Sequence, residues 1–208
     1  MENIILPEGF VHVRELIPDI REDMVYATEH NFVGEPVDGY LARSAILTRK
    51  AAQALAIVSL ATHGDGFRLA VFDAYRPERA VRHFMRWSED AADTRTQAGY
   101  YPEFPDKQAL IDGGFIARRS SHSRGSTIDL TLVSLETDGY LEMGTGFDRF
   151  GPLAAHGAEG ISQQAADNRA YLCRLMLGAG FVPYSAEWWH YTLKDEPYPD
   201  TYFDFPVQ

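Results

Sequence analysis

The chain has 208 residues, of which 45% are hydrophobic and 24% charged, a balance typical of a folded globular protein with a sizeable core. With 30 acidic residues against 19 basic ones, its net charge is −11, which makes nucleic acid and anionic membrane surfaces poor partners. No apolar run reaches the length that a membrane-spanning helix needs. We therefore expect residues 1–208 to form a single domain.

The N-terminal segment, "MENIILPEGFVHVREL", has no basic stretch followed by a long apolar run. It does not resemble a signal peptide, so we expect a cytoplasmic protein. Cys173 is the single cysteine, which excludes an intrachain disulfide and a multi-cysteine zinc site. It lies in the helical pattern "NRAYLCRLML", where a buried and unreactive thiol is the favoured interpretation.

The first half of the chain predicts two helices and a strand between them. A helix is predicted from Ser44, as its cap, to about Thr62, and "HGDG" ends it. The apolar and aromatic stretch "FRLAVFDAY" predicts a strand from Phe67 that ends at Arg76. The segment "PERAVRHFMRW" then predicts a second helix, with Pro77 as its first helical residue.

The second half predicts two more helices and two more strands. A short helix is predicted from Pro105, in "PDKQALIDGG". The stretch "STIDLTLVSL" alternates apolar and polar residues as a strand does, and "TDGY" after it suits a hairpin-like turn. A long helix is predicted from about Ser162, and "WWHYTL" predicts a final strand. This pattern favours an α+β fold with a central antiparallel sheet flanked by helices.

Polar side chains surround the start of the alternating strand, in "SSHSRGSTIDL". His122 and Asp129 are seven positions apart, a spacing that would place them on opposite faces of an unbroken strand. They meet only if the backbone turns between them, and Gly125 is the residue best able to turn. In "EWWH", we expect His190 on the final strand, because its aromatic neighbours favour extended structure, and Glu187 in the preceding turn.

Two imidazoles and one carboxylate make a suitable three-ligand set for Zn²⁺, with a fourth position open to water. A carboxylate close to the metal but not bound to it, such as Glu187, can move protons during hydrolysis. The alternative is that these are solvated residues without a task, because 7 histidines make a chance pairing easy. Spacing alone leaves both interpretations open.

The segment "SSHSRGSTID" resembles the SxHxxGxAxD motif of the zinc D-alanyl-D-alanine peptidases, peptidase family M15, whose superfamily includes lysostaphin-like and hedgehog domains. Ser120, His122, Gly125 and Asp129 match this motif, and Thr127 stands where the motif has Ala. Four further blocks resemble the VanX-type D-Ala-D-Ala dipeptidases, in order: "YATEHNFVGEPVDGY", "FDAYRPERAVRHFMRW", "MGTGFDRF" and "SAEWWHYTLKDEPYPDTYFDFPV". The likeness runs from the first of these blocks to the C-terminus.

The resemblance implies a role for each residue of the metal site. His122, Asp129 and His190 correspond to the ligands of one zinc ion, and Glu187 corresponds to the catalytic base. Arg76, in "DAYRP", corresponds to the arginine that steadies the tetrahedral intermediate. A guanidinium at a strand end is a fixed donor for a developing oxyanion. Without the family, Arg76 would be interpreted as a structural arginine paired with Asp73 or Glu78.

Four more residues are implied to hold the two ends of a free dipeptide. Asp148, in "GFDRF", corresponds to an acid that receives the substrate ammonium, with Tyr26 nearby. Ser120 and Tyr40 correspond to groups near the substrate carboxylate, and the end that each tyrosine serves is left open. Taken without the family, these four would be a loop acid, a cap and two half-buried aromatics.

The implied function is zinc-dependent hydrolysis of free D-Ala-D-Ala to two D-alanines, in peptidoglycan precursor turnover or vancomycin-type resistance. One alternative is a zinc D,D-carboxypeptidase acting on muropeptides, which needs an open cleft and usually an export signal. The other is a zinc-bearing domain that only binds. That alternative predicts a lost base, whereas Glu187 is present.

Overall fold

A computed structural model describes residues 6–208, which form seven strands and five helices. The strands are β1 Phe10–His12, β2 Arg21–Glu22, β3 Ile46–Thr48, β4 Phe67–Asp73, β5 Thr127–Ser134, β6 Phe181–Pro183 and β7 His190–Leu193. The helices are α1 Arg49–Gly64, α2 Glu78–Glu89, α3 Gln97–Tyr100, α4 Lys107–Asp112 and α5 Gln163–Gly178. The fold is α+β, as expected.

Five strands form the main sheet, in the order β2-β4-β5-β7-β6, and β1 pairs with β3 in a separate two-stranded sheet. The neighbours β4, β5, β7 and β6 run antiparallel, as the sequence predicts. The sheet differs from the expected one at its edge, where the short strand β2 runs parallel to β4. A parallel neighbour needs a long crossover, and the chain between β2 and β4, which includes α1, supplies it.

The strand register places three polar residues side by side across the sheet. Asp129 of β5 lies opposite His190 of β7 on one side and opposite Asp73 of β4 on the other. A register shift between Val71 and Asp73 allows the last residue of β4 to reach this position. Because directly opposed residues are close neighbours, the sheet gathers charged groups that are distant in the sequence.

The first predicted helix begins later than expected, because β3 occupies the residues before it. Helix α1 begins at Arg49, and the Thr48 hydroxyl caps it by accepting a hydrogen bond from the Ala51 N–H. Ser44, which was predicted as the cap, has its Oγ 2.8 Å from Nδ1 of His12. The strand forms because β1 is available as a partner from a distant part of the chain, and a local pattern cannot reveal that.

The other predicted elements are confirmed, with small differences at their ends. Strands β4 and β5 and the short helix α4 lie where they were predicted. The hydroxyl of Ser162 caps α5, whereas Pro77 is the residue before α2 rather than its first helical residue. The "TDGY" segment turns back on β5, where Val133 and Tyr140 form an isolated antiparallel bridge.

Helices cover the sheet and enclose the core. Helix α1 packs against β3 and β4, α5 packs against β6 and α1, and the buried apolar side chains form one connected cluster. Cys173 on α5 is half-buried rather than fully buried. Both faces of β5 are buried, so Asp129 is only 2% exposed. Within residues 6–208, the helices are too short or too polar to cross a membrane.

Candidate active site

The turn before β5 brings His122 to the strand that carries Asp129. Residues 121–124 form one turn of 3-10 helix, and Gly125 ends it with a φ of 78°. That left-handed conformation favours glycine, and a Cβ at this position would also collide with the ring of Phe10. On the opposite face of β5, Ile128 is fully buried and anchors the strand to the core. The turn therefore brings the imidazole of His122 to the carboxylate of Asp129, although an unbroken strand would place the two on opposite faces.

The side chains of three residues form a small triangle at this point. His122 Nε2 lies 3.2 Å from Asp129 Oδ2, His190 Nδ1 lies 3.1 Å from Asp129 Oδ1, and the two nitrogens are 3.3 Å apart. Ligands bound to tetrahedral zinc at about 2.0–2.1 Å lie roughly 3.3 Å from one another. The spacing of the two imidazole nitrogens therefore fits a shared zinc ion.

The protonation of this triangle also suits a cation. His122 Nδ1 lies 2.6 Å from the carbonyl oxygen of Ala74, and a proton donated there leaves Nε2 with a free lone pair. Burial lowers the pKa of His122, which favours the neutral imidazole that binds metal. Although burial opposes it, the imidazoles of His122 and His190 lower the pKa of Asp129. Asp129 Oδ1 is buried and accepts no hydrogen bond from residues 6–208, so a cation would satisfy it.

Glu187 lies beside the triangle, in the turn that leads into β7. Its Oε2 is 3.6 Å from His190 Nδ1, and the residue is 8% exposed. Burial, reinforced by the negative charge of Asp129, raises the pKa of Glu187 to about 8. A carboxyl group whose pKa lies close to neutrality is suited to accepting and returning a proton.

Arg76 follows β4 and faces the same triangle. Its Nε donates a hydrogen bond of 2.8 Å to Asp73, its Nη1 donates a longer one of 3.4 Å to Ser120, and its Nη2 lies 3.6 Å from Asp129. Burial opposes the positive charge, but the carboxylate of Asp73 raises the pKa of Arg76 further above its usual range. The guanidinium is thus both paired with an acid and part of the site.

A cavity of about 220 Å³ opens in front of these groups. Tyr26, Ser120, Asp148 and Glu187 all line it, together with the three residues of the triangle. Asp148 is buried and accepts a hydrogen bond of 2.7 Å from the Tyr26 hydroxyl. Burial raises the pKa of Asp148, which a positively charged partner would reverse. The cavity therefore has one further acidic group besides the triangle and Glu187.

Tyr40 is expected near the substrate carboxylate, and that role stays a prediction. Its hydroxyl donates a hydrogen bond of 2.6 Å to Asp73, so it lies behind Arg76 and does not line the cavity. A tyrosine within a loop gives no signal of which polar group its hydroxyl will reach. All the other predicted site residues line the cavity, and their roles stay predictions.

The cavity walls could not be predicted directly from the sequence. These are largely apolar and aromatic: Phe32, Val81, Phe84, Phe115, Ile116, Phe150, Tyr184 and Trp189. Asp73 was expected only in the structural interpretation of Arg76, as one of two possible partners. The pairing forms, and because Asp73 also lies opposite Asp129 in the sheet, it is part of the site.

Comparisons with known proteins found a family model and several similar sequences. The family model of Peptidase M15, described as D-ala-D-ala dipeptidase, matches residues 7–208. A D-alanyl-D-alanine dipeptidase of Streptomyces coelicolor is 46% identical over 95% of this chain and 98% of its own. Proteins of the same name from Enterococcus faecium and Escherichia coli are 44% and 32% identical, over 96% and 88% of this chain and 98% and 83% of their own.

Two solved structures are also similar. One is a mutant of the vancomycin-resistance D,D-pentapeptidase VanY in complex with Zn(II), and the other is VanYB in complex with D-alanine-D-alanine. Each has a TM-score of 0.44 and 16% sequence identity, and covers 74% of this chain. The matches cover 76% and 75% of the two known chains.

Proposed function

Because this chain belongs to the D-Ala-D-Ala dipeptidase family, Peptidase M15, we propose that it hydrolyses free D-Ala-D-Ala to two D-alanines with one zinc ion. Residues 1–208 act as a single domain in this proposal. The observation that carries it is the largely buried triangle of His122, Asp129 and His190, with Glu187 beside it on the wall of one small cavity.

Zinc is the metal that this donor set suits, because two imidazoles and one carboxylate leave one coordination position open. When bound, zinc would supply a Lewis acid that polarises the scissile carbonyl group and makes water more acidic. His122, Asp129 and His190 would hold it. The hydrogen bond from His122 to the Ala74 carbonyl would fix the orientation of that ring.

Glu187 acts as the general base and then as the general acid. It takes a proton from the attacking water and passes it to the amine that leaves when the peptide bond breaks. Its pKa of about 8 in the metal-free site favours the protonated carboxyl, and a nearby positive charge shifts that pKa downward. The loaded site therefore holds Glu187 closer to the ionised form that a base requires.

Arg76 stabilises the oxygen of the scissile carbonyl group as it gains negative charge. A guanidinium fixed before the reaction begins stabilises such a charge without having to reorganise. The hydrogen bond from Nε to Asp73 fixes Arg76 in this way, and its remaining N–H groups lie towards Ser120 and Asp129. Arg76 therefore serves the transition state more than the bound substrate.

Asp148 and Tyr26 receive the ammonium group of the dipeptide, and Ser120 lies near its carboxylate. The free ammonium explains a preference for dipeptides, because a longer peptide has an amide nitrogen at that place. Burying Asp148 opposite such an amide would leave the carboxylate without a countercharge, at a cost of a few kcal/mol.

The test compares D-Ala-D-Ala, L-Ala-L-Ala and a tripeptide ending in D-Ala-D-Ala, with zinc content measured by elemental analysis. We expect about one zinc per chain, rapid hydrolysis of D-Ala-D-Ala alone, and kcat/KM for the tripeptide at least about 10²-fold lower. Equal hydrolysis of the tripeptide would indicate a D,D-carboxypeptidase instead. A folded, zinc-loaded protein that cleaves none of the three would contradict enzymatic function.

The proposed substrate is a building block of peptidoglycan that bacteria make in the cytoplasm, so the proposal places the enzyme there. Removing this dipeptide serves vancomycin-type resistance, and recovering D-alanine from it serves nutrition. Both roles use the same chemistry, and the neighbouring genes distinguish them.

A further inference from the structure

A free dipeptide carries a carboxylate as well as an ammonium group, and both lose water when they enter a cavity. Each needs an opposite charge or several hydrogen bonds to offset that loss. Asp148 provides the negative charge for the ammonium in the proposed function. Ser120 offers only a neutral hydroxyl to the carboxylate, so a positive charge for that end remains to be found.

Two arginines line the cavity, and acids of the protein already offset the charge of the first. Arg76 donates Nε to Asp73 at 2.8 Å and has Nη2 3.6 Å from Asp129, so two carboxylates offset its charge. It also lies over the rings of Tyr26 and Phe84, which restricts its movement. A substrate carboxylate that occupied Arg76 would compete with these acids and with the reacting carbonyl oxygen.

The second is Arg119, which lies next to Ser120 and has an exposed side chain. Among the described residues its guanidinium forms no ion pair. It lies over the ring of Tyr202, 4.8 Å from the ring centroid. An arginine held by stacking keeps its N–H groups free for a planar, two-oxygen acceptor such as a carboxylate. Nearby Arg124 differs, because Glu196 already occupies its guanidinium.

We propose that Arg119 binds the C-terminal carboxylate of the dipeptide and thereby selects substrates whose C-terminus is free. This inference rests on the proposed function. Arg119 and Ser120 then hold one end of the substrate, and Asp148 holds the other. The distance between these two charges sets the length of an acceptable peptide, and a group added at either end loses one of them.

The experiment compares Arg119→Gln with Arg118→Gln on two substrates, D-Ala-D-Ala and its C-terminal amide. Arg118 is the matched control, because it is an exposed arginine next in the chain that does not line the cavity. Arg119→Gln is expected to raise KM for the free dipeptide about five- to tenfold. Its kcat for the dipeptide and its KM for the amide should change little. Arg118→Gln should behave as the wild type on both.

Two further measurements separate a charge contact from a structural effect. Arg119→Lys keeps the positive charge and should recover part of the loss in KM. Raising ionic strength should increase KM of the wild type more than KM of Arg119→Gln, because salt screens an exposed charge. An equal KM for the dipeptide in Arg119→Gln and Arg118→Gln, with an active wild type, would overturn this inference alone. An inactive wild type would overturn it together with the proposed function.

Discussion

The carboxylate of Asp73 is fully buried and connects three side chains of the site. It accepts hydrogen bonds from the Tyr40 hydroxyl and from Arg76 Nε, and it lies 3.6 Å from His122 Nδ1. Burial raises the pKa of Asp73, and the positive charge of Arg76 acts against that rise. Asp73 thus positions both Arg76, the proposed oxyanion donor, and His122, a proposed metal ligand. The Tyr40 hydroxyl holds Asp73 in turn.

Glu187→Gln removes the proton acceptor and keeps the volume of the side chain. We expect hydrolysis of D-Ala-D-Ala to fall by about 10²–10⁴-fold, the range that a positioned acid or base contributes. Zinc content should stay near that of the wild type, because Glu187 is not one of the three proposed ligands. Steady-state kinetics and elemental analysis check both. Near-normal turnover with zinc bound would remove Glu187 from its proposed role.

The same substitution has a second consequence, in the stability of the metal-free protein. Because burial raises the pKa of Glu187 to about 8, the folded state binds its proton more tightly than the unfolded state does. That contribution to stability is complete below the ordinary carboxyl pKa and is lost as pH rises through about 8. The unfolding free energy of the metal-free wild type should therefore decline as pH rises from the ordinary carboxyl pKa to about 8. The unfolding free energy of Glu187→Gln should decline less over the same pH range.

At the scale of elements, the sequence indicates the long helices and the long strands but not the short strands. Periodicity over many residues predicts α2, α5, β4 and β5, because each buries a continuous face. Strands β1, β2, β3 and β6 have two or three residues each, which is too short for a period to show. Their strand form depends on partners far away in the chain.

The sequence indicates the residues of the candidate site, whereas their arrangement depends on the sheet that carries them. A local motif and its family resemblance indicated His122, Asp129, Glu187 and His190, and the register of β5 with β7 brings them together. The position of Tyr40 outside the cavity could not be predicted, because the direction of a hydroxyl depends on packing between distant segments. A sequence motif indicates which residues are candidates for a site, whereas side-chain packing determines which of them face the cavity.

Gly125→Ala tests the turn that joins His122 to β5. The φ of 78° strains any side chain, and the added methyl group would collide with Phe10, so the free energy of unfolding should fall by about 1–3 kcal/mol. Gly64→Ala is the matched control, because it lies at the end of α1 with no atom close to an added Cβ. Chemical denaturation measures both. Equal stability of the two variants would contradict the requirement for glycine at position 125.

At the scale of the whole molecule, the cavity and the groups directly behind it hold an excess of buried negative charge. Asp73, Asp129, Asp148 and Glu187 are all at most 8% exposed. Against them, the described residues of the site include one largely buried cation, Arg76. Buried charges without partners are costly, so metal-free protein must protonate some of these acids or lose stability. A divalent cation would offset the charges that Arg76 leaves uncompensated.

Removing zinc should therefore destabilise the entire domain. The three proposed ligands come from the turn before β5, from β5 and from β7, so a bound ion would connect segments that separate on unfolding. A ligand at 100 times its Kd stabilises the folded state by about 2.7 kcal/mol, and for a chain of this size that raises Tm by roughly 5–10 °C. Thermal unfolding with a chelator and after adding zinc back measures the shift. His190→Gln should lose the shift while Glu187→Gln keeps it, since only the first removes a ligand. A wild-type Tm that does not respond to zinc would contradict the metal site, whatever the activity.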